Sequence, residues 1–97
     1  MNIVKEIDGR TIEPHPEKPK TVFRTFASLN KDESFVFILD HDPFHLTNIM
    51  DKLFPDQYTW EYQERGPELF KVEIGRIAAG DPKFDIDAVI QQMFAEE

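Results

Sequence analysis

The run that most constrains this chain is FVFIL, residues 35–39, inside the segment ESFVFILD at 33–40. Successive side chains of a strand point to opposite faces, so Phe35, Phe37 and Leu39 share one face and Val36 and Ile38 the other. Both faces are apolar. Such a strand belongs in the middle of a sheet, with neighbours on both edges and cover on its faces. A chain of 97 residues has room for one domain around it. A domain of that size buries roughly 60–65% of the surface its unfolded chain exposes, which supports one modest core.

The flanking segments supply the rest of a small sheet. NIVKEI, 2–7, reads as a short strand, and the DGR after it as a turn. EPHPEKPK, 13–20, holds three prolines in eight residues and is expected to be a loop. Val22, Phe23, Phe26 and Leu29 then fall at helical spacing, predicting a short amphipathic helix that ends near Asn30–Asp32. The helical period returns from Pro43 to about Phe54 through Leu46, Ile49, Met50 and Leu53, and Pro55 stops it. YTWEYQ, 58–63, alternates, with Tyr58, Trp60 and Tyr62 on one face. LFKVEIGRI, 69–77, alternates again. Between them ERGPE is a turn, with Gly66 free to take positive φ and Pro67 beside it, so the two strands form an antiparallel hairpin.

After the linker AAGDPK, Ile86, Val89, Ile90, Met93 and Phe94 predict a third amphipathic helix, with Asp85 as its N-cap. The order is β-α-β-α-β-β plus a C-terminal helix. Two βα units favour parallel pairing, and the closing hairpin adds an antiparallel strand. The expected fold is a two-layer α/β (α+β) sandwich with a four-stranded mixed sheet and both main helices on one face. The domain covers 1–79; 80–97 is linker and helix, packed on the same domain or on a partner. The second sheet face needs cover, from that helix or a second subunit.

Charge and composition narrow the function. With 19 acidic and 11 basic residues the net charge is −8. No basic stripe exists to displace counterions from phosphates, so nucleic acid is not an expected partner, and anionic membrane is disfavoured in the same way. The N-terminus lacks the apolar region of a signal peptide, and no apolar run approaches the roughly 20 residues of a membrane span. A soluble, cytoplasmic protein is expected. There is no cysteine, hence no disulfide, thiolate metal cage or thiol nucleophile. No GxSxG, HExxH or phosphate loop is present.

The stretch that could carry chemistry is LDHDPFHL, 39–46, where the central strand gives way to a helix. Its structural reading makes Asp42 the N-cap and Pro43 the first helical residue, a cap worth about 1 kcal/mol. Its functional reading makes Asp40, His41 and Asp42 a ligand or proton-transfer site, since open α/β sheets commonly bind ligands at the carboxyl ends of their strands. Two carboxylates beside His41 would favour its charged form. A metal variant adds His45, giving oxygen and nitrogen donors suited to zinc or iron. Against it, consecutive residues point in different directions, and His41 precedes the helix, so His41 and His45 do not share a helical face. His15 reads as a loop histidine. Glu64 could reach this site only if the sheet order brings the two ends together.

VFRTFASLNKDESFVFILDHDP, 22–43, followed by WEYQERGPELFKVEI, 60–74, resembles the DUF2249 family of small bacterial domains. The resemblance spans about residues 5–77. It implies a fold similar to the TusA-like group, with the last strand antiparallel to the other three, and it implies no reaction. Some relatives are fused to hemerythrin-like di-iron domains, which points by association to iron, oxygen or nitric-oxide physiology. The TusA-like sulfur relay needs a cysteine and is excluded. The chain departs from the family pattern at Phe44 and His45, where a basic residue and a proline are usual. It departs again at Lys18–Pro19, in place of a basic–histidine pair, and at Phe70, in place of a tryptophan. The expected function is a non-catalytic binding or protein-interaction module without cofactor, its partner a protein or small ligand, and a homodimer is compatible. The alternatives are a metal- or redox-linked domain at DHDP, and an enzyme with His41 as general base.

Overall fold

The structure, a computed structural model, describes residues 1–11, 17–78 and 85–95. Its elements are β1 (Asn2–Asp8), a 3-10 turn (Gly9–Thr11), α1 (Glu17–Ser28), β2 (Glu33–Leu39), α2 (Leu46–Leu53), β3 (Tyr58–Arg65), β4 (Phe70–Arg76) and α3 (Ile86–Ala95). The four strands form one mixed sheet in the order β1-β2-β4-β3. β1 and β2 are parallel, and β4 runs antiparallel to both β2 and β3. β1, β2 and β3 therefore point the same way, and their carboxyl ends share one edge of the sheet.

FVFIL is the middle of this fold. Every residue from Ser34 to Leu39 is buried. Phe35, Phe37 and Leu39 join Ile7, Val72 and Ile74 in a core closed by Val22, Phe23, Phe26 and Leu29 of α1 and by Leu46, Ile49, Met50 and Leu53 of α2. Tyr58, Trp60 and Tyr62 pack against the same core from β3. Val36 and Ile38 lie on the opposite face. Glu6 and Glu73 flank Val36 in register, and Asp8 and Lys71 flank Ile38. Long polar side chains lay their stems over apolar neighbours, which accounts for this burial without a second helical layer. The expected cover by the C-terminal helix is therefore not what is found. α3 packs on the helical side, with Ile90 in the core and Asp87 bonded to Arg24 of α1 at 2.6 Å. Asp85 caps it as predicted, accepting from the Ala88 amide at 3.0 Å.

Two boundaries differ from expectation. α1 begins at Glu17, inside the stretch read as loop. Pro19 falls in the first helical turn, where the amides have no intrahelical partner, so its missing N–H costs nothing. The remainder of that loop, His15 included, lies outside the described residues, as does most of the AAGDPK linker. Regular α2 begins at Leu46 rather than Pro43, and its N-cap is His45, with no side-chain cap bond. Pro43, Phe44 and His45 form a tight turn whose carbonyls accept from Leu46, Thr47 and Asn48, each three residues on. Asp42 still makes a cap-like bond, to the Phe44 amide at 3.1 Å, but it caps this turn and not the helix proper.

Two residues close the far ends. Gly66 takes φ +70 in the β3–β4 turn, and a Cβ there would fall 2.8 Å from the Phe70 ring. Arg76, the last residue of β4, is only 4% exposed. Its guanidinium donates to the carbonyls of Phe26, Ala27 and Leu29 and lies 5.1 Å from the Phe26 ring centre. A cation at the carboxyl end of α1 meets the negative end of the helix dipole and pairs carbonyls that the helix itself leaves open.

Candidate functional site at the carboxyl edge of the sheet

The three strands that run in the same direction deliver a row of charged side chains to one edge. From β1, Asp8 takes Arg10 in a two-pronged contact at 2.9 and 2.8 Å. These hydrogen bonds from Arg10 hold the Asp8 carboxyl down to about 2. The Asp40 carboxylate adds to the field that holds Arg10 protonated. Asp40 and His41 follow directly on β2, and the His41 Nδ1 lies 2.8 Å from Asp40 Oδ1. Both side chains stand out in solvent, His41 50% and Asp40 70% exposed.

Asp42 behaves differently from its neighbours. It turns back toward β3 and is held on three sides. The Phe44 amide donates to Oδ1, the Tyr62 hydroxyl donates to the same oxygen in a short bond, and Arg65 reaches Oδ2 at 3.4 Å. Arg65 also lies over the Tyr62 ring, 4.5 Å from its centre. Burial first, and the bond to Asp42 second, push the Tyr62 phenol above its ordinary range. Trp60 stands edge-on to Tyr62, with ring centres 6.4 Å apart. Its buried indole N–H has no hydrogen-bond partner among the described residues. Pro43 is fully buried, and the next residue, Phe44, is 61% exposed. The His45 ring stands edge-on to Phe44 at 6.3 Å.

The candidate residues therefore do not act as one set. Asp40 and His41 form an exposed pair. Asp42 is committed to Phe44, Tyr62 and Arg65. His45 starts α2 beside Phe44. Among the described residues no three histidine or carboxylate side chains converge on a point that could hold a metal ion. The donor set proposed for zinc or iron does not fit this geometry, because Asp42 faces away from the Asp40–His41 pair and is already met by an arginine.

The span from residue 6 to residue 76 matches the family described as uncharacterized conserved protein (DUF2249). The chain belongs to this family. No curated protein and no solved structure matches it. The DUF2249 match opens inside β1 and closes on Arg76, so it takes in both main helices and the whole DHDP edge, while α3 lies beyond it. The family description assigns no reaction, so the chemistry of the edge rests on its geometry.

Two members of this DUF2249 edge are absent from the sequence-based site. Arg10 reads by sequence as part of a turn, yet parallel pairing of β1 with β2 brings it within the field of Asp40. By sequence both Glu64 and Arg65 read as part of the hairpin turn, and of the two only Glu64 stands as a residue that could reach the site. In register Glu64 pairs with Lys71 across β4, while Arg65 reaches Asp42. The signal available was the common direction of the strands: residues closing parallel neighbours share an edge. What sequence left open was the sheet order, which puts β4 between β2 and β3.

Proposed function

We propose that this chain is a non-catalytic binding or protein-interaction module whose contact surface is the edge where β1, β2 and β3 end. The observation that carries the reading is the contrast across DHDP. Asp42 and buried Pro43 pin the turn, and the same turn presents Phe44 outward beside the exposed Asp40–His41 pair. An aromatic side chain held out on a pinned turn, next in the chain to polar and charged residues, has the make-up of an interface anchor. Fixing the turn in advance lowers the ordering cost of association. The absence of cysteine fits a reducing compartment, and the cytoplasm is the setting this reading assumes.

Catalysis has less support. An Asp–His pair resembles an oriented general base, yet among the described residues no hydroxyl hydrogen-bonds to His41. The test is a photo-crosslinking residue at position 44, compared with the same probe in a His41→Ala background. The module reading expects a discrete cross-linked partner whose yield drops with His41→Ala at unchanged melting temperature. Zinc or ferrous iron added to the full chain should leave the His41 and His45 ring resonances where they are. A joint, one-to-one shift of both would replace this proposal with the metal reading.

A further inference from the structure

The sheet face turned away from the helices carries a second pattern, which shares only Asp8 with the DHDP edge. Strand register sets Glu6, Val36, Glu73 and Glu61 in one row across all four strands. The row on one side holds Ile3, Ser34, Gly75 and Thr59; the row on the other holds Asp8, Ile38, Lys71 and Glu64. These three rows hold five carboxylates and one lysine, and of the five Asp8 is already paired with Arg10. Glu61 and Glu73 are direct cross-strand partners, and like charges so placed destabilise a sheet. The Ser34 hydroxyl at 2.7 Å and the Gln63 amide at 3.3 Å fix the Glu73 carboxylate in position without neutralising it.

Beside this pair the surface is hollow. A Cβ at Gly75 would fall 2.0 Å from the Met1 sulfur and 2.6 Å from the Thr59 hydroxyl, so its absence lets Met1 lie across the sheet. The result is a depression of about 300 Å³ lined by Met1, Ile3, Thr59, Glu61 and Glu73. One wall is a thioether and an aliphatic chain; the other is a pair of carboxylates. Because α3 packs on the helical side, none of the described helices covers this face.

We infer that this sheet face docks a lysine- or arginine-bearing segment of a protein partner. The aliphatic stem of one such side chain lies against Met1 and Ile3, and its cation sits between Glu61 and Glu73. Long cationic side chains bury their stems and keep the charged end polar, which matches the two walls. The incoming cation relieves the repulsion between the two glutamates, and the surrounding carboxylates steer it in. Nucleic acids and anionic lipid surfaces carry the wrong charge for this face. A bare inorganic cation would leave the Met1–Ile3 wall unused.

The experiment titrates the full isotope-labelled chain with three probes: an amphipathic leucine–lysine helical peptide, its leucine–glutamate counterpart, and spermine. The lysine peptide is expected to shift the amides of Ile3, Thr59, Glu61, Glu73 and Gly75, and the glutamate peptide to shift none of them. Glu61→Lys is expected to weaken binding by about tenfold or more while raising the melting temperature, because an opposite-charge pair replaces a like-charge one. Glu61→Gln should fall between on both readouts. A response to spermine equal to that for the peptide, shifts centred on residues 40–45, or Glu61→Lys binding like the wild type would each overturn the inference. The expected shifts at Ile3, Thr59, Glu61, Glu73 and Gly75 do not depend on the DHDP edge being a binding surface.

Discussion

Asp42 shows how one side chain can leave a site that its neighbours keep. In DHDP it stands between His41 and Pro43, and by sequence it belongs with both. In the fold its carboxylate points at Tyr62 and Arg65, 20 and 23 residues away. Asp42→Ala removes a charged acceptor from a half-buried phenol and should cost about 1–2 kcal/mol in urea unfolding. The same change should let Tyr62 ionise at lower pH, read from phenolate absorbance. Because the folded phenol is pushed up, its stabilising contribution is complete below the ordinary value near 10 and is lost as pH rises through the folded value. Wild-type stability should therefore decline above pH 10, and less steeply in Asp42→Ala. Asp8 works in the opposite direction. Its depressed carboxyl contributes above the ordinary 3.8, and that contribution is lost as pH falls through about 2. Carboxyl carbon shifts should show Asp8 titrating near 2 in the wild type and nearer 3.9 in Arg10→Gln.

At the scale of elements, the strands were the most legible part of the chain. Alternation in YTWEYQ and LFKVEIGRI, and apolar residues on both faces of FVFIL, depend on neighbours one and two residues away. The helix starts were less legible. Proline in EPHPEKPK argues for loop through its missing donor, but in a first turn that donor has no use, so Glu17–Lys20 could turn helical. DHDP carries every local mark of a helix start, and only the hydrogen bonds show a tight turn placed before α2. Least legible of all was Arg76, whose role comes from where α1 ends in space. Three of its carbonyl partners lie 47 to 50 residues earlier. Arg76→Met keeps much of the volume and removes the donors; leaving buried carbonyls unpaired should cost about 3 kcal/mol. For a domain of this size that lowers the melting temperature by roughly 12 °C or more, measurable by calorimetry. Gly66→Ala forces a Cβ into positive φ and against Phe70, and should cost at least about 1–2 kcal/mol by the same measurement.

For the whole molecule, the two faces of the sheet carry different duties. One is spent on the core. The other keeps Val36 and Ile38 buried beneath polar neighbours and gathers five of the chain's 19 acidic side chains. A net charge of −8 on a small domain repels itself, and salt screens that repulsion over about 10 Å at 0.1 M. The melting temperature should therefore rise between 10 and 150 mM sodium chloride, and Glu61→Lys should reduce that rise. A flat salt response would mean that the acidic face costs the fold nothing.

The long reach of Arg76 also bears on the order in which the protein is assembled as it is made. Synthesis proceeds from the N-terminus, and α1 leaves the ribosome well before the residue that seals its end. Until β4 arrives, the carbonyls at the end of α1 have only water, and the inner edge of β2 has no partner on that side. Folding of this chain should thus wait for its last strand, with no stable half-built stage. Stalled nascent chains ending before residue 76 should be digested readily by protease, and chains released a few residues later should resist it.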